Sequence, residues 1–210
     1  MPEAGTRRAQ AAAETEAALK EAAKRVFDRV GYLRAKITDI TAEAGRAAGS
    51  FYSHFDSKEQ LLEALLMDMI EEGHLRAAEP AHSPDFTSLD AIRYHVAGYW
   101  RFVTENRSVI LALNQAAMIS EHFARRQAEL LTPMFGELAG HLGYVTAAGG
   151  RLPGEPHAVT SAIVALMSGY AYAWLTSDQQ ELGPRPTAEQ AVDMISAFIW
   201  HGIMGPEPSA

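Results

Sequence analysis

The segment GSFYSHF, residues 49–55, places hydroxyl groups and an imidazole among closely spaced aromatic rings. If the segment is helical, the helical period puts Phe51 and Phe55 together on one inward face. The other face then carries the polar groups, which are Ser50, Tyr52, Ser53 and His54. Hydroxyls and imidazoles form hydrogen bonds with phosphate oxygens and with base edges. The segment therefore predicts an apolar pair that anchors a polar recognition face.

The sequence carries no recognisable catalytic or metal-binding motif. Its eight histidines form no HExxH or HxxxH pair, and there is no GxSxG elbow and no phosphate-binding glycine loop. The absence of cysteine excludes disulfides, a thiolate zinc site and cysteine catalysis. We therefore expect a protein that is not an enzyme and that has no metal site and no cofactor.

The polar segment belongs to a series of short predicted helices. Apolar residues at spacings of three and four predict a helix over residues 15–31, followed by short helices over 36–45 and 49–55. A capping-box spacing that begins at Ser57 predicts the start of the next helix. Two short helices joined by the glycine-containing turn GRAA have helix-turn-helix spacing, in which the second helix lies in the DNA major groove.

The rest of the chain is also predicted to be helical. The predicted segments are 92–106, 108–119, 121–142 with a kink or break at Pro133, 157–176 and 187–204. The fold class is therefore all-α. It consists of an N-terminal three-helix helix-turn-helix domain over 1–58, with a flexible arm at 1–12, and a C-terminal helical bundle over 59–210. The apolar run 162–175 is shorter than the roughly 20 residues that cross a bilayer, so we expect a cytoplasmic protein with no membrane partner.

The formal net charge of −8 is unevenly distributed along the chain. Residues 1–58 contain 10 Lys+Arg and 8 Asp+Glu, a net of +2, whereas residues 59–210 contain 8 and 18, a net of −10. A slightly basic head on an acidic body fits a small module that faces a polyanion, attached to a part with another task.

The run ITDITAEAGRAAGSFYSHFDSKEQLLEALL, residues 37–66, closely resembles the N-terminal domain of the TetR family of transcriptional regulators. The residues that carry the resemblance are Gly45, Gly49, Phe51, Tyr52, Phe55, Ser57, Lys58 and Glu59. The resemblance implies a homodimer whose recognition helices enter successive major grooves of a palindromic operator. It implies DNA contacts by Thr38, Ala48, Gly49, Ser50, Tyr52, Ser53, His54 and Lys58. Tyr52 and Lys58 are expected on phosphates, and Ser50 and His54 on base edges or nearby phosphates.

Three positions depart from the family pattern. Lys36 and Ala47 stand where hydroxyl residues usually cap the two short helices, and Arg46 stands where an aliphatic residue is common. A missing N-cap costs about 0.5–2 kcal/mol. We expect weak capping of the recognition helix and an additional phosphate contact by Arg46.

The resemblance assigns the chain from about residue 60 onward to effector binding and dimerisation. Large, soft apolar groups with a few polar ones are typical of a pocket for a small, mostly apolar ligand. The predicted lining residues are Val96, Trp100, Val103, Asn114, Met118, His122, Phe123, Phe135, Tyr170 and Trp174.

The last two predicted helices are apolar around most of their circumference. Such helices need to pack against other surfaces on more than one side, and a second copy of the chain in a symmetric dimer provides one such surface. The predicted dimer interface consists of Val164, Met167, Ala171, Val192, Ile195, Ile199 and Ile203. The alternative is that the two helices are simply central to one core.

The predicted function is a ligand-responsive, DNA-binding transcriptional regulator. Its expected partners are a palindromic operator, a second copy of the chain and a small effector that releases a repressor from the operator. The alternative is a helix-turn-helix module repurposed for protein interaction without sequence-specific DNA binding, which the acidic balance and the weak capping at residues 46–48 would suit.

Overall fold

The computed structural model describes residues 3–176 and 186–204. Within these ranges the chain forms nine α-helices and no strand, which confirms the predicted all-α class. The helices are α1 (Glu3–Val30), α2 (Ile37–Glu43), α3 (Ala48–Phe51), α4 (Lys58–Ala77), α5 (Leu89–Glu105), α6 (Arg107–Ile119), α7 (Glu121–Ala147), α8 (Pro156–Thr176) and α9 (Ala188–Met204).

The chain divides into two compact units. Unit 1 comprises Met1–Glu72 and Asn106–Glu129, and unit 2 comprises Gly73–Glu105 and Leu130–Ala210. The chain passes from one unit to the other within α4 and within α7, and again between α5 and α6. In this division α6 and most of α4 belong to unit 1.

Helix α1 has the composition and the apolar spacing of a helix with one buried face. Leu19, Ala22, Val26 and Phe27 are all buried, as the spacing of three and four residues predicts. The helix ends at Val30 because Gly31 adopts a φ of 75°, which a glycine tolerates without steric cost. Residues 3–12, which the sequence predicts as a flexible arm, are part of this helix.

The start of α4 is capped by side chains, as the capping-box spacing predicts. The amide of Gln60 donates to Ser57 Oγ at 3.1 Å, and the Gln60 side chain accepts a hydrogen bond from the amide of Asp56. Helix α4 then buries Leu61, Leu62, Leu65, Leu66 and Met69. Capping and burial together fix the segment that follows the recognition region.

Unit 2 is built on α5, α7, α8 and α9, with α5 packed on both α8 and α9. Its core includes Ile92 and Val96 of α5, and Leu142 and Val145 of α7. Helix α7 is continuous from Glu121 to Ala147. Of the two outcomes predicted for Pro133, a break is therefore wrong, and a kink stays a prediction.

The residues predicted to form the dimer interface mostly face the core of the same chain. Met167, Ala171, Val192, Ile195, Ile199 and Ile203 are buried in the unit 2 core, and Val164 is half-buried. The open alternative, that α8 and α9 are central to one core, accounts for these side chains. The outer faces of the two helices are apolar as well, with Leu166, Tyr172, Met194, Phe198 and Met204 exposed.

One described helix, α8, is long and apolar enough to cross a membrane by length and composition alone. It has 21 residues, more than the predicted apolar run, because it begins at Pro156. A core helix passes the same test, and α8 contributes Val159, Ile163, Met167 and Ala171 to the core of unit 2. This packing accounts for the apolar residues on the inner face of α8.

Candidate nucleic-acid interface

Helices α2 and α3 form a helix-turn-helix, although both are shorter than the sequence predicts. The predicted helices 36–45 and 49–55 correspond to Ile37–Glu43 and Ala48–Phe51. Gly45 adopts a φ of 64° in the connection, and the amide of Arg46 donates to Thr41 O at 2.9 Å. A positive φ here lets the chain reverse within a few residues, as a glycine permits.

The two phenylalanines anchor the second helix from behind, as predicted. Phe51 is fully buried and Phe55 almost so, with ring centroids 5.6 Å apart. Ile40 of α2 is also fully buried. After α3 the amides of His54 and Phe55 both donate to Phe51 O at 2.9 Å, so the chain stays tightly wound beyond the last helical residue.

The opposite face of this motif is open to solvent. Tyr52 is 61% exposed, although its neighbour Phe51 is fully buried. The other exposed residues of the predicted contact set are Thr38, Arg46, Ala48, Gly49 and Ser53, whereas Ser50 and His54 are half-buried. We call this surface the recognition face. A Cβ placed on Gly49 would meet no atom within 4 Å, so the backbone here is accessible to close approach.

The starts of α2 and α3 lack side-chain caps at their N-cap residues. Neither Lys36 nor Ala47 caps its helix through a side chain. The Asp39 carboxylate accepts a hydrogen bond from the amide of Lys36 at 3.0 Å, which replaces part of the missing cap of α2. At α3 the Ser50 hydroxyl donates to Ala47 O at 2.7 Å, so its proton is used locally and its oxygen can still accept.

Ion pairs join α2 to α1. Arg25 Nε lies 2.7 Å from Glu43 Oε1, and Arg29 Nη1 lies 3.2 Å from Glu43 Oε2. Hydrogen bonds from Arg25 and Arg29 lower the pKa of the Glu43 carboxyl. Exposed pairs of this kind contribute little stability, but two arginines on one carboxylate restrict the orientation of α2 on α1.

Lys58, for which the sequence predicts a phosphate contact, forms hydrogen bonds within the chain. Its ammonium donates to Tyr32 O at 2.6 Å and to Ala35 O at 2.8 Å, and it lies 4.2 Å from the centroid of the Tyr32 ring. Burial lowers the pKa of Lys58. Two of the three ammonium protons therefore hold the connection between α1 and α2 against the start of α4.

Replacing Lys58 by Met is expected to lower the free energy of unfolding by about 1–3 kcal/mol, because two carbonyls lose their donor. Urea unfolding measures this loss. The matched control is Lys24→Met, whose ammonium pairs with Glu21 on the same helix, and whose effect should stay within about 0.5 kcal/mol. If Lys58→Met keeps full stability yet loses DNA affinity, its main role is the phosphate contact.

The predicted pocket residues are divided between the two units. Trp100 lies 4.9 Å from Trp174 and 5.8 Å from Tyr170 between ring centroids, next to Val96 and Val103 in the unit 2 core. Phe135 also belongs to unit 2 and is half-buried. Asn114, Met118, His122 and Phe123 belong to unit 1, where the first three are exposed and Phe123 is buried.

Trp100 also lines an open cleft of about 490 Å³ between α5 and α9.

The structure also brings together three histidines that the sequence reasoning missed. His82 in the connection before α5, His95 on α5 and His141 on α7 each place a ring nitrogen within 4.8 Å of the others. These residues are far apart in the chain and lie on three elements, so no short motif links them. Only the packing of unit 2 reveals the cluster.

The fold and the recognition face define an all-α protein with an anchored helix-turn-helix in its N-terminal unit. Residues 19–65 match the family described as bacterial regulatory proteins, tetR family. A 74-residue segment is 40% identical to the HTH-type transcriptional regulator TtgR of Pseudomonas putida and equally to the probable regulator ArpR of that organism. This segment is 35% of the present chain and spans about a third of the length of those curated relatives.

Solved structures extend the similarity of fold to most of the chain. A tetR-family regulatory protein from Rhodococcus RHA1 has a TM-score of 0.70 and 22% identity, over 90% of this chain and 96% of that one. The fatty acid degradation regulator FadR from Bacillus halodurans has a TM-score of 0.72 and 16% identity, over 90% and 96% of the two chains. The N-terminal domain therefore matches the tetR family, and most of the chain shares the all-α fold of these solved regulators.

Proposed function

We propose that the protein is a transcriptional regulator that binds a palindromic operator as a homodimer and is released by a small, mostly apolar effector. The observation that carries this proposal is the recognition face. Tyr52 and Ser53 project into solvent directly beside the buried pair Phe51 and Phe55, within the segment that matches the tetR family. An exposed polar surface on a rigid apolar base suits docking in a major groove.

The recognition face provides both positioning and reading groups. The Tyr52 hydroxyl and the Arg46 guanidinium suit phosphate oxygens, which fix the register of a protein on a duplex. His54 and Ser50 carry groups that bond base edges, and Gly49 leaves the backbone open. The small side chains of Ala47 and Ala48 leave more of the specificity to the shape of the operator.

The homodimer is proposed to form through the outer faces of α8 and α9. The exposed apolar residues Leu166 and Tyr172 of α8, with Met194 and Phe198 of α9, lie on faces that the core of unit 2 leaves open. A twofold axis uses the same patch on both copies, which suits apolar faces that a single chain leaves exposed. This interface replaces the buried residues that the sequence predicts.

The effector is proposed to bind beside the aromatic cluster of Trp100, Tyr170 and Trp174 in unit 2. Aromatic walls with few polar groups suit a small apolar molecule. The default role is repression, in which the effector shifts the population away from the operator-binding form. Because α4 and α7 continue from unit 2 into unit 1, a rearrangement in unit 2 has a covalent route to the recognition helices.

Selection of bound sequences from random duplexes tests DNA binding and dimer symmetry together. We expect an enriched palindrome whose half-site centres lie about 34–36 Å apart, which is one helical turn of DNA. Affinity for that site should fall steeply as salt rises, because phosphate contacts release counterions. A flat salt dependence without an enriched sequence would instead favour the protein-interaction alternative.

Replacing Tyr52 by Phe is expected to weaken binding to every duplex by a similar factor, because the change removes only a phosphate contact and keeps the ring. His54→Ala, in contrast, should relax the base preference at one position of each half-site and cost about 1–3 kcal/mol for the preferred base. Fluorescence anisotropy with the selected site and with single-base variants separates the two effects. Base-specific loss in Tyr52→Phe would contradict the assignment.

A further inference from the structure

Three imidazoles lie close together in unit 2. His82 Nε2 lies 3.1 Å from His95 Nε2, and one nitrogen of His141 lies within 4.8 Å of both partners. The ring centroids are 4.9–5.3 Å apart in all three pairings. Among the described residues this set contains no carboxylate, so the candidate ligand atoms are imidazole nitrogens.

The hydrogen bond of His95 fixes which nitrogen is available. His95 Nδ1 lies 2.8 Å from Ala91 O, and since a carbonyl only accepts, Nδ1 carries the proton. The neutral ring then presents the lone pair of Nε2 to His82. Burial lowers the pKa of His95, which favours this neutral form. A metal-binding histidine is commonly held in this way, with its other nitrogen bonded to a carbonyl.

His141 has an unsatisfied group at the same place. Its Nδ1 atom is buried and has no hydrogen-bond partner within the part of the chain that the structure describes. Its ring stacks on Phe86 at 5.2 Å and 16°, which holds the imidazole in position. Burial, reinforced by His95 and His82, lowers the pKa of His141 to about 4, so the ring is neutral near pH 7. A buried polar atom without a partner costs about 1–3 kcal/mol, which points to a partner that the protein does not itself supply.

We propose that His82, His95 and His141 bind one divalent first-row transition metal ion, with Zn²⁺ as the reference case. Imidazole nitrogen suits zinc, copper, nickel and cobalt, whereas magnesium and calcium require oxygen ligands. Zinc–nitrogen bonds of about 2.0–2.1 Å in a tetrahedral site place two ligand nitrogens roughly 3.3 Å apart. The His82–His95 separation of 3.1 Å is already close to that spacing. His141 supplies the third nitrogen, which lies within 4.8 Å of the other two.

The ion would join the connection that carries His82 to α5 and α7. Three protein ligands leave one tetrahedral position for water or for an oxygen, nitrogen or sulfur donor of a small molecule. Because the ion binds the folded form, it should stabilise unit 2 by linkage. The metal site does not depend on DNA binding, so it is tested independently of the proposed function.

The test uses full-length protein without a histidine tag, dialysed against a chelator and then titrated with Co²⁺. We expect one ion per chain, with the visible absorption of tetrahedral Co²⁺ and its displacement by Zn²⁺ but not by Mg²⁺. Calorimetry with Zn²⁺ gives the affinity, and thermal unfolding with and without Zn²⁺ gives the stabilisation. No binding of Co²⁺ or Zn²⁺ would show a cluster held by hydrogen bonds alone and would overturn the proposal.

Matched histidine variants assign the site. His82→Gln and His141→Gln are each expected to weaken Zn²⁺ binding by at least the 10–100-fold that loss of an outer-shell partner costs. The control is His157→Gln, an exposed histidine of α8, which should bind as the parent does. Circular dichroism of each metal-free variant confirms folding, and His82→Gln, in a connection rather than in the core, keeps the test informative if His141→Gln fails to fold. Unchanged affinity in the folded His82→Gln variant would refute the assignment.

Discussion

Replacing Phe51 by Ala is expected to lower the free energy of unfolding by about 3–5 kcal/mol, the usual cost of truncating a buried phenylalanine. The side chain is fully buried, and its ring lies 5.6 Å from both Phe55 and Tyr52 between centroids. Helix α3 has only four residues and no side-chain cap, so its position depends largely on the buried rings of Phe51 and Phe55. Operator affinity should therefore fall together with stability.

Chemical denaturation monitored by circular dichroism measures the loss of stability, and anisotropy with the selected operator measures DNA binding. The matched control is Tyr52→Ala, the adjacent aromatic, which is mostly exposed. It should change the stability by less than about 1 kcal/mol, as surface substitutions do, but still weaken DNA binding. A Phe51→Ala variant that loses less than about 1 kcal/mol would show that α3 is anchored in some other way.

Short-range patterns in the sequence predict the N-terminal unit well. The spacing of Phe51 and Phe55 separates the inward from the outward side chains, and Gly31 ends α1 as predicted. The lengths of α2 and α3 are less predictable. Each helix is followed by a turn with similar backbone hydrogen bonds, so the residue pattern does not mark where the helix ends. The role of Lys58 is not predictable either, because its carbonyl partners, Tyr32 and Ala35, become close only when α4 packs on the preceding connection.

Unit 2 shows where sequence periodicity stops being informative. Helices α8 and α9 are apolar on both faces, so the pattern alone does not separate a core residue such as Ile199 from an outer residue such as Phe198. The histidine cluster is hidden for a different reason. Its members are distant in sequence and lie on a connection and two helices, so only tertiary packing makes them neighbours.

Replacing Phe198 by Glu is expected to dissociate the proposed homodimer. Phe198 is 65% exposed on α9, while its neighbours Ile195 and Ile199 are buried in the core. A glutamate there remains hydrated in the monomer and has good helix propensity, so α9 should fold normally. At a twofold interface the same charge appears on both copies and loses its water, and an unpaired buried charge costs about 3–5 kcal/mol. One such cost alone raises the dimer dissociation constant by roughly 10²–10⁴-fold, and the second copy of the charge raises it further.

Analytical ultracentrifugation measures the dissociation constant, and anisotropy follows the selected palindrome in the same buffer. Operator affinity should fall by a factor of about 10²–10⁴, because in a monomer the second recognition face is no longer linked to the first. The control is Met118→Glu, which changes an 83% exposed apolar residue of α6 in unit 1 to the same charge and should leave the dimer intact. A dimer that survives Phe198→Glu but dissociates in Met118→Glu would place the interface on unit 1. A palindrome bound with undiminished affinity by monomeric Phe198→Glu would refute the requirement for a dimer.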